Sequence, residues 1–436
     1  MDRAILPSQK RIYYGWVIVG IAMISMAFWF GIRTTFSIFF VALLDQFHWG
    51  RAEAAGAQSV AMVIYMLMAP IVGTLVDRIG PRKVIVPGII LTALGFLLCT
   101  QIRSLFQFYL FFGVIVGMGV TCLSIAPFTI VLAHWFDKRR GTANGLAAVG
   151  IGLGVLLLLP LIQTLISSRG WQFAYLSFSL LLLLIPLPLN ALFLRHRPQE
   201  MGLLPDGDSM RLSHEDDPGD SKTEPIPGPP LIETKARLRQ LFQTARFWCA
   251  ISFPAFISSA LYIIMVHNVR YLADLGVDKI WAASLFAGIG GLSAGFRFFW
   301  GWFSDRAGRE ITFTIGAICF SSGIFFLILF QYVRSTALLY LFGAFFGAGW
   351  GVSAPMFMSI TADLYKGPHF GLIYGILEGM IGLSAAFGAW IAGYIFDRNQ
   401  SYFWAFVLAI FFNLTSIVLV WLAAPRKSFR IRSATS

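Results

Sequence analysis

Arg297 interrupts an apolar run, Ala294-Gly295-Phe296-Arg297-Phe298-Phe299-Trp300-Gly301. An arginine at the centre of a membrane-spanning helix costs about 2.5–3.5 kcal/mol on insertion scales, so it faces a wet cavity or a partner. Its planar fork of donors suits a carboxylate through two parallel hydrogen bonds. Two roles therefore fit: an anchor for an acid, or one half of a structural ion pair. Arg33, in Gly31-Ile32-Arg33-Thr34, is either a second cavity charge or a side chain that snorkels to water at an outer mouth. Glu378, in Tyr374-Gly375-Ile376-Leu377-Glu378-Gly379, is the only acidic residue near the middle of an apolar stretch. It can pair with an arginine or accept a proton. His267 with Asn268 reads as a helix end satisfied locally.

A second constellation occurs twice. Gly73-Thr74-Leu75-Val76-Asp77-Arg78-Ile79-Gly80-Pro81-Arg82-Lys83 is echoed 228 positions on by Gly301-Trp302-Phe303-Ser304-Asp305-Arg306-Ala307-Gly308-Arg309. Gly73 and Gly301 let a neighbouring helix approach closely. Asp77 and Asp305 can then face a helix N-terminus or a basic side chain of the opposite half, a contact worth roughly 0.3–1 kcal/mol and more when partly buried. Such contacts form in one state and break in another, which biases a two-state equilibrium. Two copies at matching places mark a duplicated protein whose halves move.

The elements that must carry these residues are membrane helices. Of 436 residues, 57% are hydrophobic and 12% charged, against about 25% charged in soluble domains. Twelve apolar stretches, from 14–42 to 402–424, reach the roughly 20 residues that a bilayer-spanning helix takes. The expected fold is all-α: twelve transmembrane helices in two pseudo-symmetric six-helix bundles. Residues 1–195 form the first bundle, 196–245 a flexible cytoplasmic linker and 246–436 the second bundle. The linker includes the acidic run Glu215-Asp216-Asp217 and the proline-rich run from Pro225 to Pro230, too polar to fold alone.

A net charge of +12 might point to nucleic acid, but its placement points to topology instead. With alternating spans, 24 of the 33 Lys and Arg fall on one side. The positive-inside rule then puts both termini in the cytoplasm. The first apolar run lacks a cleavage site and is expected to remain as a span. All four cysteines lie in predicted spans, and no Cys/His cluster, catalytic triad order or nucleotide loop stands out. Gly150-Ile151-Gly152 lacks the strand and turn of a dinucleotide site. No cofactor, metal, enzyme activity or nucleic-acid partner is expected.

The duplicated loop resembles the hallmark of the major facilitator superfamily over nearly the whole chain. It departs at Pro81, which displaces the basic pair by one position, and at Glu310, where a base is usual and whose presence is expected to weaken the second contact. Two segments resemble signatures of its monocarboxylate transporter branch, including bacterial members and the related oxalate/formate antiporters. One is Tyr14-Gly15-Trp16 with the rest of the first span. The other runs from Trp135-Phe136-Asp137-Lys138-Arg139-Arg140-Gly141 to Gly152. In it, Lys138, Arg139 and Arg140 are expected to anchor a helix end, and Gly145, Gly150 and Gly154 to give a smooth packing face.

The resemblance implies that Arg297 binds the substrate carboxylate. Proton-coupled lactate carriers have an aspartate and a lysine where this chain has Ser293 and Thr34, so carboxylate binding is better supported than a proton relay. The expected function is alternating-access transport of a small organic anion, a monocarboxylate, in a plasma (bacterial inner) membrane. Arg297 and Arg33 would bind it, Glu378 would take any coupling proton, and both loops would gate. The alternatives are dicarboxylate or organic-anion antiport, efflux of a cation or drug, and a non-transporting sensor acting through the linker.

Overall fold

The computed structural model describes residues 13–207, 240–367 and 369–423. Its first bundle comprises α1 (Gly15–Phe47), α2 (Arg51–Ile79), α3 (Pro81–Cys99), α4 (Leu105–Trp135), α5 (Arg140–Arg169) and α6 (Trp171–Phe193). Its second comprises α7 (Ala245–Asp274), α8 (Lys279–Ala307), α9 (Arg309–Val333), α10 (Thr336–Tyr365), α11 (Phe370–Asn399) and α12 (Phe403–Ala423). Among the described residues, eleven of these are long and apolar enough to cross a membrane. The helix α8 is equally long and carries Arg297 and five glycines.

Local chemistry starts and stops these helices. The side chains of Ser104, Thr244 and Asp278 accept from backbone N–H groups in the first turns that follow them, which satisfies otherwise orphaned donors. Pro81 opens α3, where its missing N–H costs nothing. The fixed glycine of each motif has a positive φ, 86° at Gly80 and 95° at Gly308, a turn that disfavours any side chain. Leu157, Leu184, Phe325, Trp404 and Phe411 point outwards, as expected where lipid replaces water.

The bundles meet along two helix pairs, α2 with α11 and α5 with α8. A Cβ on Gly73 would strike the carbonyl oxygen of Gly371, and one on Gly371 would strike that of Gly73. In the other pair, a Cβ on Gly145 would lie 2.6 Å from the Arg297 carbonyl oxygen, and one on Gly301 2.8 Å from the Gly145 Cα. Backbone therefore meets backbone at both seams. The glycines of α5 serve two neighbours: Gly145 and Gly152 face α8, while Gly150 and Gly154 face Met23 and Ala27 of α1.

The structure adds detail to three expectations. The stretch 105–134 is not one uninterrupted helix. α4 passes through a π-helical segment at Tyr109–Val116, its first part ends at Cys122, Ser124 is extended (φ −62°, ψ 178°), and a new helix begins at Ile125. Pro127 explains the break, since its ring excludes the carbonyl four residues back and it has no N–H to offer. Of the three bases expected to anchor the start of α5, Arg140 is 5% exposed and ion-paired, while Arg139 and Lys138 are exposed. The first part of the expected linker is also tied down. Pro198–Met201 and Pro205–Gly207 form 3₁₀ turns, and Tyr13 Oη donates to the Leu204 carbonyl at 3.1 Å. The acidic and proline-rich runs of that linker lie outside the described residues.

Candidate functional site

A cavity of about 100 Å³ lies between the bundles. The first bundle contributes Arg33 from α1 and Tyr65 from α2; the second contributes Arg297 from α8, Trp350 from α10 and Glu378 from α11. A wider space of about 350 Å³ shares Arg33, Tyr262 and Gly382 with it and adds Thr34, Gln58 and Ala389. Those added residues lie toward the helix ends remote from the motif loops, so the chamber widens away from the motif face.

Arg297 is 2% exposed. Its guanidinium carbon stands 5.5 Å from the Trp350 ring centroid, a cation–π contact. Its buried Nε has no hydrogen-bond partner, and among the described residues no carboxylate pairs with it. Ser293, one turn earlier, donates to the Gly290 carbonyl of its own helix at 2.8 Å. Arg33 lines the same cavity from the other side. It lies over Trp29 at 5.3 Å and Tyr65 at 5.1 Å, and Nη2 reaches the Met62 sulfur at 3.4 Å. Two cations therefore face one small aromatic chamber.

Glu378 does not pair with an arginine. It accepts from Tyr65 Oη at 2.8 Å and from the Ala126 backbone N–H at 3.0 Å. The second donor exists because α4 is broken: Ala126 lies in the first turn of the half-helix Ile125–Trp135, whose N–H groups lack partners within the helix. A carboxylate from the second bundle thus caps a half-helix of the first, deep within the spans. Sequence reasoning missed Tyr65, Trp350 and this break. The signal was present: Ala126-Pro127 recurs as Ala354-Pro355 at the same 228-residue offset as the motif. In α10 the matching interruption is one residue, Val352, with helical dihedrals (φ −72°, ψ −26°).

At the motif face, Asp77 accepts from the Gly371 N–H at 2.9 Å and the Leu372 N–H at 3.3 Å, at the start of α11. Asp305 accepts from the Gly141 and Thr142 N–H groups at 2.8 and 2.7 Å, and from Thr142 Oγ1 at 2.7 Å, at the start of α5. Arg309 joins Asp305 at 2.8 Å to Asp363 at 2.9 Å. Asp363 also pairs with Arg140, which reaches Asp137, itself 2.9 Å from Lys366. The expectation that Glu310 weakens the second contact is therefore wrong. The second copy is the richer one, because Arg309, not residue 310, supplies the bridge. Its counterpart in the first copy is Pro81, which has no charge.

Burial pushes the Asp137 carboxyl up, but Lys366 and Arg140 outweigh it and hold the group below its ordinary range. Arg78, Arg82 and Lys83 are exposed, and among the described residues none of them is ion-paired. Arg306 stacks on Trp302 at 4.0 Å. His267 bonds Tyr402 Oη at 3.2 Å and the Ala389 carbonyl at 3.0 Å.

The sequence model described as Major Facilitator Superfamily matches residues 17–299 and again 251–435. The chain belongs to the major facilitator superfamily. It is an integral membrane protein of that superfamily, a secondary transporter rather than an enzyme. Curated relatives along its length are monocarboxylate transporters. Monocarboxylate transporter 13 of Bos taurus is 27% identical over 398 residues, 91% of this chain and 86% of that one. Monocarboxylate transporter 2 of Homo sapiens is 25% identical over 414 residues, 89% of this chain and 81% of that one. The fold matches the solved structure of the superfamily's proton:xylose symporter XylE, bound to 6-bromo-6-deoxy-D-glucose. That match has a TM-score of 0.73 at 14% identity and covers 94% of this chain and 95% of that one.

Proposed function

We propose that this superfamily member carries a small monocarboxylate across the membrane by alternating access, with Arg297 as the anchor for the carboxylate. One observation carries the reading: a guanidinium, 2% exposed and without an ion pair, faces a cavity between two bundles. Burying an unpaired charge costs several kcal/mol, so the site is complete only when an anion occupies it. The resemblance to monocarboxylate transporters 13 and 2 supports the same cargo class. Arg33, on the opposite bundle, is the second substrate contact, so that a bound acid draws the bundles together. Any coupling proton is taken by Glu378.

Residues 1–195 and 246–436 rock as two bodies joined by 196–245. Motif contacts through Gly73, Asp77, Gly301 and Asp305 close the face that bears them. Basic residues concentrate on that face, which supports a cytoplasmic placement for it and for both termini, in a plasma (bacterial inner) membrane. The described conformation is then closed inward and open outward.

The test is counterflow of radiolabelled short-chain acids in proteoliposomes. Arg297→Ala is expected to insert normally and to lose uptake at least a hundredfold, with Arg297→Lys recovering little because the fork geometry is gone. Full uptake by Arg297→Ala would overturn the reading. The presence of two arginines favours a second reading, exchange of dicarboxylates. Trans-stimulation by external dicarboxylate without monocarboxylate flux would establish it. Inhibition by lipophilic cations rather than by lactate-like acids would instead favour cation efflux.

A further inference from the structure

We propose that Glu378 sets the valence of the anion that the cavity accepts, admitting monocarboxylates and disfavouring dicarboxylates. This rests on Arg297 being the carboxylate anchor and adds a rule for which acids bind there. Among the described residues, three charged side chains line the cavity, Arg33, Arg297 and Glu378, and the wider chamber adds no other. The rest of the lining is mainly apolar and aromatic. It offers no other group to absorb an excess charge.

The three charges stand apart, each with its own contacts. Glu378 is held by Tyr65 Oη at 2.8 Å and the Ala126 N–H at 3.0 Å, both donors, so each carboxylate oxygen acts as an acceptor. Arg33 rests on Trp29 and Tyr65, and Arg297 on Trp350. Neither arginine is ion-paired to Glu378. With Glu378 in its ionised, proton-free form, the state to which this rule applies, the formal charge of the lining is one surplus positive charge. A monocarboxylate cancels it. A dicarboxylate would overshoot and leave one negative charge in a low-dielectric chamber. Without the Glu378 charge the surplus would be two, which suits a dianion.

The experiment measures equilibrium binding to purified wild-type protein and variants, using acids matched in size: levulinate against succinate, and acetoacetate against malonate. Wild type is expected to favour the monoacid of each pair. Glu378→Gln keeps a hydrogen-bonding group of the same shape and should move the ratio toward the diacid by about tenfold. That is the effect of one unit charge acting over roughly 10 Å at an effective dielectric near 20. Arg33→Gln should move it the opposite way, and Arg33→Gln/Glu378→Gln should restore the wild-type preference. If Glu378→Gln does not fold, Arg33→Gln decides alone by its sign. A ratio within twofold of wild type in whichever single variants fold overturns the valence rule while leaving the anchor intact. Failure of wild type to bind any of the acids overturns the anchor and the rule together.

Discussion

The two motif copies place the same aspartate against the same target, the start of a helix in the other bundle, yet they hold it differently. Asp77 touches only backbone amides of α11. Asp305 touches two amides and a hydroxyl of α5, then an arginine that continues into a chain of four further charged residues. One position makes the difference. After the glycine turn, the second copy has Arg309 and the first has Pro81. Symmetry of the backbone therefore coexists with asymmetry of strength, and the α5–α8 seam is the firmer of the two.

Removing each aspartate separates the seams most sharply. Asp305→Ala leaves Arg309 short of a buried partner, and breaking such a pair costs roughly 3–5 kcal/mol. Asp77→Ala removes hydrogen bonds from amides and costs about 1–3 kcal/mol. Spin-label distances across the motif face should lengthen in most Asp305→Ala molecules and in a smaller fraction of Asp77→Ala molecules. Equal shifts would mean that the extra ion pairs contribute nothing.

Pro81→Arg supplies the missing cation in the first copy. It is expected to strengthen closure there by no more than about 1 kcal/mol, since Pro81 is buried and the cost of desolvating a guanidinium there offsets most of its attraction to Asp77. The readout is slower labelling of a cysteine introduced beneath Asp77. Unchanged labelling would show that proline at this position is not what weakens the seam.

The smallest effect concerns pH. Asp137 has its carboxyl held below the ordinary value by Lys366 and Arg140. A group depressed in the folded state contributes stability above its unfolded pKa, near 3.9, and loses it as pH falls through the lower folded value. Its pairs should therefore persist unchanged from pH 8 to pH 5 and weaken only below about pH 4. Because Asp137 is half-exposed, Asp137→Asn should alter the labelling distances only slightly at neutral pH.

Much of this was legible in the sequence, for physical reasons that can be named. A charge inside an apolar run is so costly that Arg297, Arg33 and Glu378 announced themselves, and a glycine four residues before an aspartate predicted close helix approach at both seams. The partners were not legible. Arg140 read, with Lys138 and Arg139, as an anchor for a helix end; that Asp363 lies beside it depends on how α10 packs. Glu378 read as a partner for an arginine or a proton acceptor; the amide it accepts from inside α4 exists only after Pro127 breaks that helix. Glu310 attracted attention as a departure, whereas the informative departure was Pro81.

That broken helix has a consequence for how the bundles part. The Ala126 amide, far from either membrane surface, relies on an acceptor that belongs to the opposite body. Where hydrocarbon is the surrounding medium, an amide left bare costs several kcal/mol. Under the proposed alternating-access cycle, separation at this point is tied to wetting: the joint would loosen only as solvent arrives to replace the departing oxygen, so hydration and movement would advance as a single event.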